Sequence, residues 1–203
     1  MLIALYENGT DFTYRKFGPE DPGAMSELET LWPLKKFPVL FDEGRTYLES
    51  SIIIEHLARH YPGPVQLIPS NPDAALEARM MDRCFDNYVM TPMQKIVADF
   101  IRATGDRDPF GVREARTALD AAYGWLNGVM ATRSWAIGEN FTLADCAAAP
   151  ALFYSDWVHE ISGLFPALRA YRTRLLSRPS VARAVDEARP FRNLFPPGAP
   201  DRD

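Results

Sequence analysis

Cysteine is scarce in this chain. Cys84 and Cys146 are the only two in 203 residues, and they lie far apart. They form no CxxC pair and no disulfide framework, which points to a reducing, cytoplasmic setting. A basic excess is also missing: 22 Lys and Arg face 27 Asp and Glu, a net charge of -5. Such a surface gives no electrostatic reason to bind nucleic acid or an anionic membrane. No apolar run approaches the ~18 residues of a membrane span. Met1 to Asp11 carries neither a basic region nor a small-residue cleavage site, so it does not read as a signal peptide. Internal repeats and low-complexity stretches are absent too. What is there is ordinary globular material. With 47% hydrophobic and 24% charged residues, the chain has apolar surface enough for a sizeable core, in one large domain or two modest ones.

Organisation changes near residue 62. Before it, short β-type runs alternate with turn signals. Asp11–Phe17 alternates aromatic and polar residues and predicts a strand with one buried face. Val39–Asp42 and Arg45–Leu48 flank Glu43-Gly44 and predict a hairpin. Ser51–Tyr61 predicts a helix, with Ile53, Ile54, Leu57, Ala58 and Tyr61 on one face. Pro62-Gly63-Pro64 and Pro69-Ser70-Asn71-Pro72-Asp73 follow, and residues 67–73 read as a linker between a first domain, 1–66, and a second, 74–203. The second reads as all-helical: Ala74–Ala103, Val112–Met130, Phe141–Val158, Phe165–Leu176 with Pro166 in its first turn, and Ser180–Ala188. The proline-rich tail beyond cannot continue a helix. The fold class expected is therefore a small α/β domain followed by an all-α one.

Three short motifs carry information. In Phe37-Pro38-Val39-Leu40 a proline stands directly before a strand, where either a cis or a trans bond fits. Leu48-Glu49-Ser50-Ser51 lies between a strand and a helix. Ser50 or Ser51 suits the helix cap, and the exposed N–H groups there suit a carboxylate. Glu49 beside them suits an ammonium, so the acid and hydroxyl together match an α-amino-acid end group; a plain cap with no ligand is the other reading. Phe141-Thr142-Leu143-Ala144-Asp145 places Thr142 and Asp145 at capping-box spacing, a structural device that starts a core helix.

Taken together, these motifs resemble the cytosolic glutathione S-transferase family. The matching stretches are LWPLKKFPVLFDEGRTYLESSIIIEHL, GENFTLADCAAAPAL and RPSVARAVDEA. The resemblance implies a thioredoxin-like domain, an all-helical domain and a homodimer that takes glutathione as co-substrate, needs no metal and acts on a small electrophile. It implies roles as well. Pro38 would be a cis-proline, the Val39 backbone would pair with the cysteinyl part of glutathione, Glu49 and Ser50 would hold the γ-glutamyl end, and Lys36 would face the glycine carboxylate.

The N-terminus departs from the pattern. Leu2–Gly9 matches only the end of the family's first helix, with Gly9 as its stop. The first strand, most of that helix and the thiol-activating Tyr, Ser or Cys have no counterpart. The thioredoxin-like domain thus reads as incomplete, and no catalytic residue is assigned. Tyr6 falls on the last turn of the helix, the wrong end. Asn8-Gly9 also permits a different outcome, a hairpin pairing Leu2–Glu7 with Thr10–Phe17. The departure gives weight to a second function, a non-catalytic binding or interaction module of the same fold.

Other residues read as structural. His56 and His60 are spaced as two ligands on one helix face, yet lack a third partner nearby and read as a solvated face. Cys84 and Cys146 read as small core residues. Met80, Met81, Met90, Met93 and Phe100 read as core or dimer contact rather than as a substrate pocket.

Overall fold

A computed structural model describes residues 1–16 and 21–203 and divides into two units, Met1–Leu67 and Ile68–Asp203. In the first, Leu2–Asn8 forms α1 and buries Ile3, Ala4 and Leu5. Gly9 ends it in the left-handed region, φ 59°, with its N–H turned back to the carbonyls of Leu5 and Tyr6. A side chain would be strained at that φ. Asn8-Gly9 is thus a helix stop and not a hairpin turn.

Residues 11–16 are exposed and belong to no strand, which corrects the strand expected over Asp11–Phe17; Phe17 itself lies outside the described residues. The physical reason is the missing ladder. Strand backbone needs a partner for its N–H and C=O groups, and the sheet among the described residues has two strands, neither of them alongside this segment. Side-chain pairs hold it instead: Arg15 meets Asp21 at 2.8 Å and Glu27 at 2.5 Å. Glu27 belongs to α2, Ala24–Leu31, a helix the sequence reading did not find. Its signal is modest: Ala24 and Leu28, four apart, are its buried pair.

The hairpin forms as expected. β1, Val39–Asp42, pairs antiparallel with β2, Arg45–Leu48, in the register Val39 to Leu48 and Asp42 to Arg45. Glu43 at φ 46° and Gly44 at φ 80° give the two-residue turn whose twist suits a hairpin. α3, Ser50–His60, follows at once. Ile53 and Leu57 pack with Leu5, and Leu40 and Tyr47 close the cluster from the hairpin.

The second unit is helical. α4, Pro72–Phe85, is capped by Asn71, whose Oδ1 accepts the N–H groups of Asp73 and Ala74, each at 3.0 Å. The single helix expected over Ala74–Ala103 is broken by a wide π-turn, Asp86–Met90, before α5, Thr91–Ile101. Pro92 explains it. Proline has no N–H, and its ring clashes with the carbonyl four residues back, here Tyr88. The wider turn absorbs that, and the Thr91 N–H and Oγ1 both reach the Asp86 carbonyl. Then come α6, Pro109–Met130; α7, Leu143–Val158; α8, Pro166–Ser177; α9, Pro179–Ala188; and a 3-10 turn, Arg189–Leu194. Phe85, Leu119, Tyr123, Leu152, Leu168 and Tyr171 are essentially sealed from solvent, each such burial contributing about 1.5–3 kcal/mol.

Candidate functional site

In the first unit, Glu49 and Ser50 stand at the start of α3, and Val39 pairs across the hairpin with Leu48, the residue before Glu49. Glu49 occupies the N-cap position with φ 64° and ψ 120°, and no side-chain hydrogen bond caps the helix. Ser50 is the first helical residue and Ser51 the second, so neither serine is the cap, contrary to expectation. An N-cap residue ordinarily sits in the β region; a left-handed glutamate is a strained conformation of the kind that clusters at ligand sites. Glu49 and Ser50 are exposed. The first N–H groups of a helix have no acceptor within it and carry its positive end.

The Phe37-Pro38 bond is cis. Val39 follows as the first residue of β1, whose edge away from β2 meets no strand among the described residues. Such an edge offers backbone donors and acceptors to an extended peptide. Lys35 is taken by Glu29 at 2.6 Å, while its neighbour Lys36 stands exposed.

His56 does not belong to a solvated face. Its Nε2 lies 2.7 Å from Asp42 Oδ2, its ring stacks on Tyr47 at 3.9 Å between centroids, and His60 lies next to it at 4.5 Å. The Tyr61 hydroxyl donates to both Asp42 oxygens, at 2.8 and 2.9 Å. The His56 and Tyr61 hydrogen bonds, in that order, hold the Asp42 carboxyl below the usual carboxylate range, and Asp42 in turn pushes the Tyr61 phenol up. Sequence spacing showed His56 and His60 as neighbours but carried no sign of Asp42.

In the second unit, Thr142 stands at the N-cap of α7 and its N–H donates to Asp145 Oδ2 at 2.8 Å. Asp145 is wholly buried, and its other oxygen accepts from the Tyr171 hydroxyl at 2.6 Å and the Ala136 N–H at 2.8 Å. Burial pushes its carboxyl up, and these hydrogen bonds oppose the shift. The contacts join three parts of the chain.

A cavity of about 460 Å³ does lie in this unit, lined by Met90, Met93, Phe153, Tyr154, Trp157 and Phe195 among others. The methionine stripe therefore divides: Met81 is core, Met90 and Met93 line the cavity, and Met80 and Phe100 are exposed. The aromatic rings form a connected group. Phe195 stacks on Tyr154 at 5.8 Å and meets Trp157 edge-on at 5.1 Å. Trp157 Nε1 is buried and has no hydrogen-bond partner among the described residues. Neither this cavity nor its tail residues stood out in the sequence, because its walls come from three separate stretches. Cys146 is buried and Cys84 partly so, with burial pushing the Cys84 thiol up.

Comparison with known proteins accounts for both units. Residues 1–65 match the family model described as "Glutathione S-transferase, N-terminal domain", and residues 89–179 match "Glutathione S-transferase, C-terminal domain". The chain is 31% identical over 164 residues to FtsZ-localized protein A of Caulobacter vibrioides, across 75% of this chain and 71% of that protein. To glutathione S-transferase U25 of Arabidopsis thaliana it is 28% identical over 201 residues, across 96% and 86% of the two chains. A solved glutathione S-transferase from Methylobacterium radiotolerans, in complex with glutathione sulfonate, superposes with a TM-score of 0.76 at 28% identity, covering 90% of this chain and 86% of that one. The architecture is a thioredoxin-like N-terminal domain followed by an all-helical C-terminal domain, and the chain belongs to the glutathione S-transferase family.

Proposed function

We propose that the protein binds glutathione at the start of α3 and adds its thiolate to a small electrophile. The observation that carries this reading is the exposed Glu49–Ser50 pair, held at a helix start by a left-handed glutamate. Glu49 takes the γ-glutamyl ammonium, and Ser50 with the first N–H groups takes the adjacent carboxylate. The Val39 backbone, following Pro38 at a strand edge, pairs with the cysteinyl unit. Lys36 supplies a point charge for the glycine carboxylate. Residues 1–66 serve as the glutathione-binding domain and 74–203 as the substrate and dimer domain; of the expected linker, 67–73, the last two residues form the first turn of α4. The thiol has an ordinary pKa of about 8.5, so its reaction at neutral pH requires stabilisation of the thiolate. No residue of this chain is assigned that task. The aromatic cavity of the second unit takes the electrophile. A two-fold homodimer fits the exposed Leu76 and Met80 of α4.

Calorimetric titration with glutathione tests the site. Glu49→Ala weakens binding by roughly 1–3 kcal/mol, the cost of leaving a charged partner unpaired. Unchanged affinity rejects the role.

A second reading, a non-catalytic module that binds partners, is favoured by the 31% identity to a protein named for its localisation with FtsZ. Glutathione binding without conjugation of any electrophile, in a steady-state assay, selects it.

A further inference from the structure

Asp11–Lys16 alternates in two sets, Asp11, Thr13 and Arg15 against Phe12, Tyr14 and Lys16. The second set already keeps together: the Phe12 and Tyr14 rings are 6.3 Å apart, Lys16 Nζ lies 5.3 Å over the Tyr14 ring, and Tyr6 of α1 is 6.0 Å from Phe12. Yet all six residues are exposed, Phe12 at 37% and Tyr14 at 50%. The Thr10 N–H still reaches the Leu5 carbonyl at 3.0 Å, but beyond it the N–H and C=O groups of residues 11–16 make no backbone hydrogen bond among the described residues. Asp11 makes no ion pair among them either, whereas Arg15 meets Asp21 and Glu27.

Backbone of this kind, with a strand's alternation and no ladder, is a template for another strand, and this segment complements itself. Laid antiparallel to its own copy with Thr13 opposite Thr13, it sets Asp11 against Arg15 twice and Phe12 against Tyr14 twice. Opposite charges, aromatic rings and threonines are the cross-strand pairs that stabilise an antiparallel ladder. A two-fold axis through the pair keeps each residue on its own face, so the neighbouring symmetric registers centre on Phe12 or on Tyr14. Both part Asp11 from Arg15 and Phe12 from Tyr14. We propose that Thr10–Lys16 is a self-association surface, where two copies of this chain join as an antiparallel strand pair centred on Thr13. The occupant is a second copy because the segment itself supplies every partner the pairing needs. The pairing gives one edge of this backbone a ladder and gives Asp11 its ion pair. Arg15 keeps Asp21 and Glu27, since its side chain is 51% exposed and a guanidinium carries several donors. A two-stranded ribbon is marginal by itself in water and exposed ion pairs add little. The contact therefore belongs to concentrated protein and leaves the mass at micromolar concentration unaltered. It uses neither the start of α3 nor α4, so it is independent of the glutathione reading.

Disulfide trapping reads the register directly. Full chains carrying Phe12→Cys, Thr13→Cys or Tyr14→Cys are oxidised in concentrated solution, and covalent dimer is followed with time. The unsubstituted chain corrects for Cys84 and Cys146. Thr13→Cys cross-links about tenfold faster than either neighbour, because a residue opposite its own copy stands within the ~4.4–6.8 Å between Cα atoms that a disulfide spans, and residues one step off the axis do not. Charge supplies a second readout. Adding Asp11→Arg to Thr13→Cys slows the cross-link, since like charges then oppose each other. Mixing that chain with one carrying Arg15→Asp and Thr13→Cys restores it, and the mixed dimer, identified by mass, exceeds the statistical half. Equal rates at the three positions mean chance collision and overturn the proposal. So does a faster rate at position 12 or 14 than at 13, or a mixed dimer no more abundant than chance.

Discussion

His56 and Asp42 are 14 positions apart in the chain, and their side chains meet at 2.7 Å. The contact ties the end of β1 to the middle of α3, the helix that begins with Glu49 and Ser50. Tyr61 closes the same carboxylate from the helix's far end, and Tyr47 backs the imidazole. The hairpin and α3 are thus held by a polar clasp on one side and by the Leu5, Ile53 and Leu57 cluster on the other.

The clasp makes stability depend on pH in a definite direction. Hydrogen bonds from His56 and then Tyr61 lower the Asp42 pKa. A carboxyl whose folded pKa is depressed stabilises the fold fully above its unfolded value, about 3.9, and loses that contribution as pH falls through the lower folded value. Asp42→Asn therefore lowers the thermal midpoint near neutrality, and the gap to the unsubstituted chain closes as pH drops below about 4. A gap that stays constant through this range, followed by circular dichroism, removes Asp42 from the account.

Gly63 lies against Asn8 so closely that a Cβ there would stand 2.4 Å from Asn8 Cβ and 2.8 Å from Asn8 Cα. Asn8 Oδ1 also accepts the Val65 N–H at 3.0 Å. Gly63→Ala forces the loop off α1 and costs about 1–3 kcal/mol, as overpacking does. Urea unfolding followed to a midpoint equal to that of the unsubstituted chain would show that the loop docks elsewhere.

Assembly is checked by light scattering. The two-fold homodimer proposed above, the commonest kind of oligomer, would cover two exposed apolar side chains on α4, Leu76 and Met80, at 67% and 50%. The expected mass is twice the 22.9 kDa of one chain, and Leu76→Asp with Met80→Asp shifts it to one. A single-chain mass at micromolar concentration for the unsubstituted protein counts against the dimer.

Local chemistry made much of this protein legible from sequence alone. Glu43-Gly44 set the hairpin, because positive φ at two successive residues is what its turn requires. Gly9 set the end of α1, and the apolar spacing of Val112–Met130 announced α6. Glu49 and Ser50 were also legible as a pair at a helix start, since that inference needs only neighbours in the chain. Tertiary structure decided the rest, where the deciding partner is far away or absent. Asp11–Lys16 has a strand's alternation but, among the described residues, no ladder to join, so it stays irregular and is held by ion pairs from Arg15. His56 looked solvated until Asp42 and Tyr47 were brought to it. The tail looked like a mere helix stop, yet its Asp203 returns to Arg189 and Arg192 beside the aromatic cavity. Turns and caps are settled by backbone φ and hydrogen bonds within a few residues, which a sequence displays. Ion pairs, stacked rings and cavity walls form between segments that only the packed core brings together.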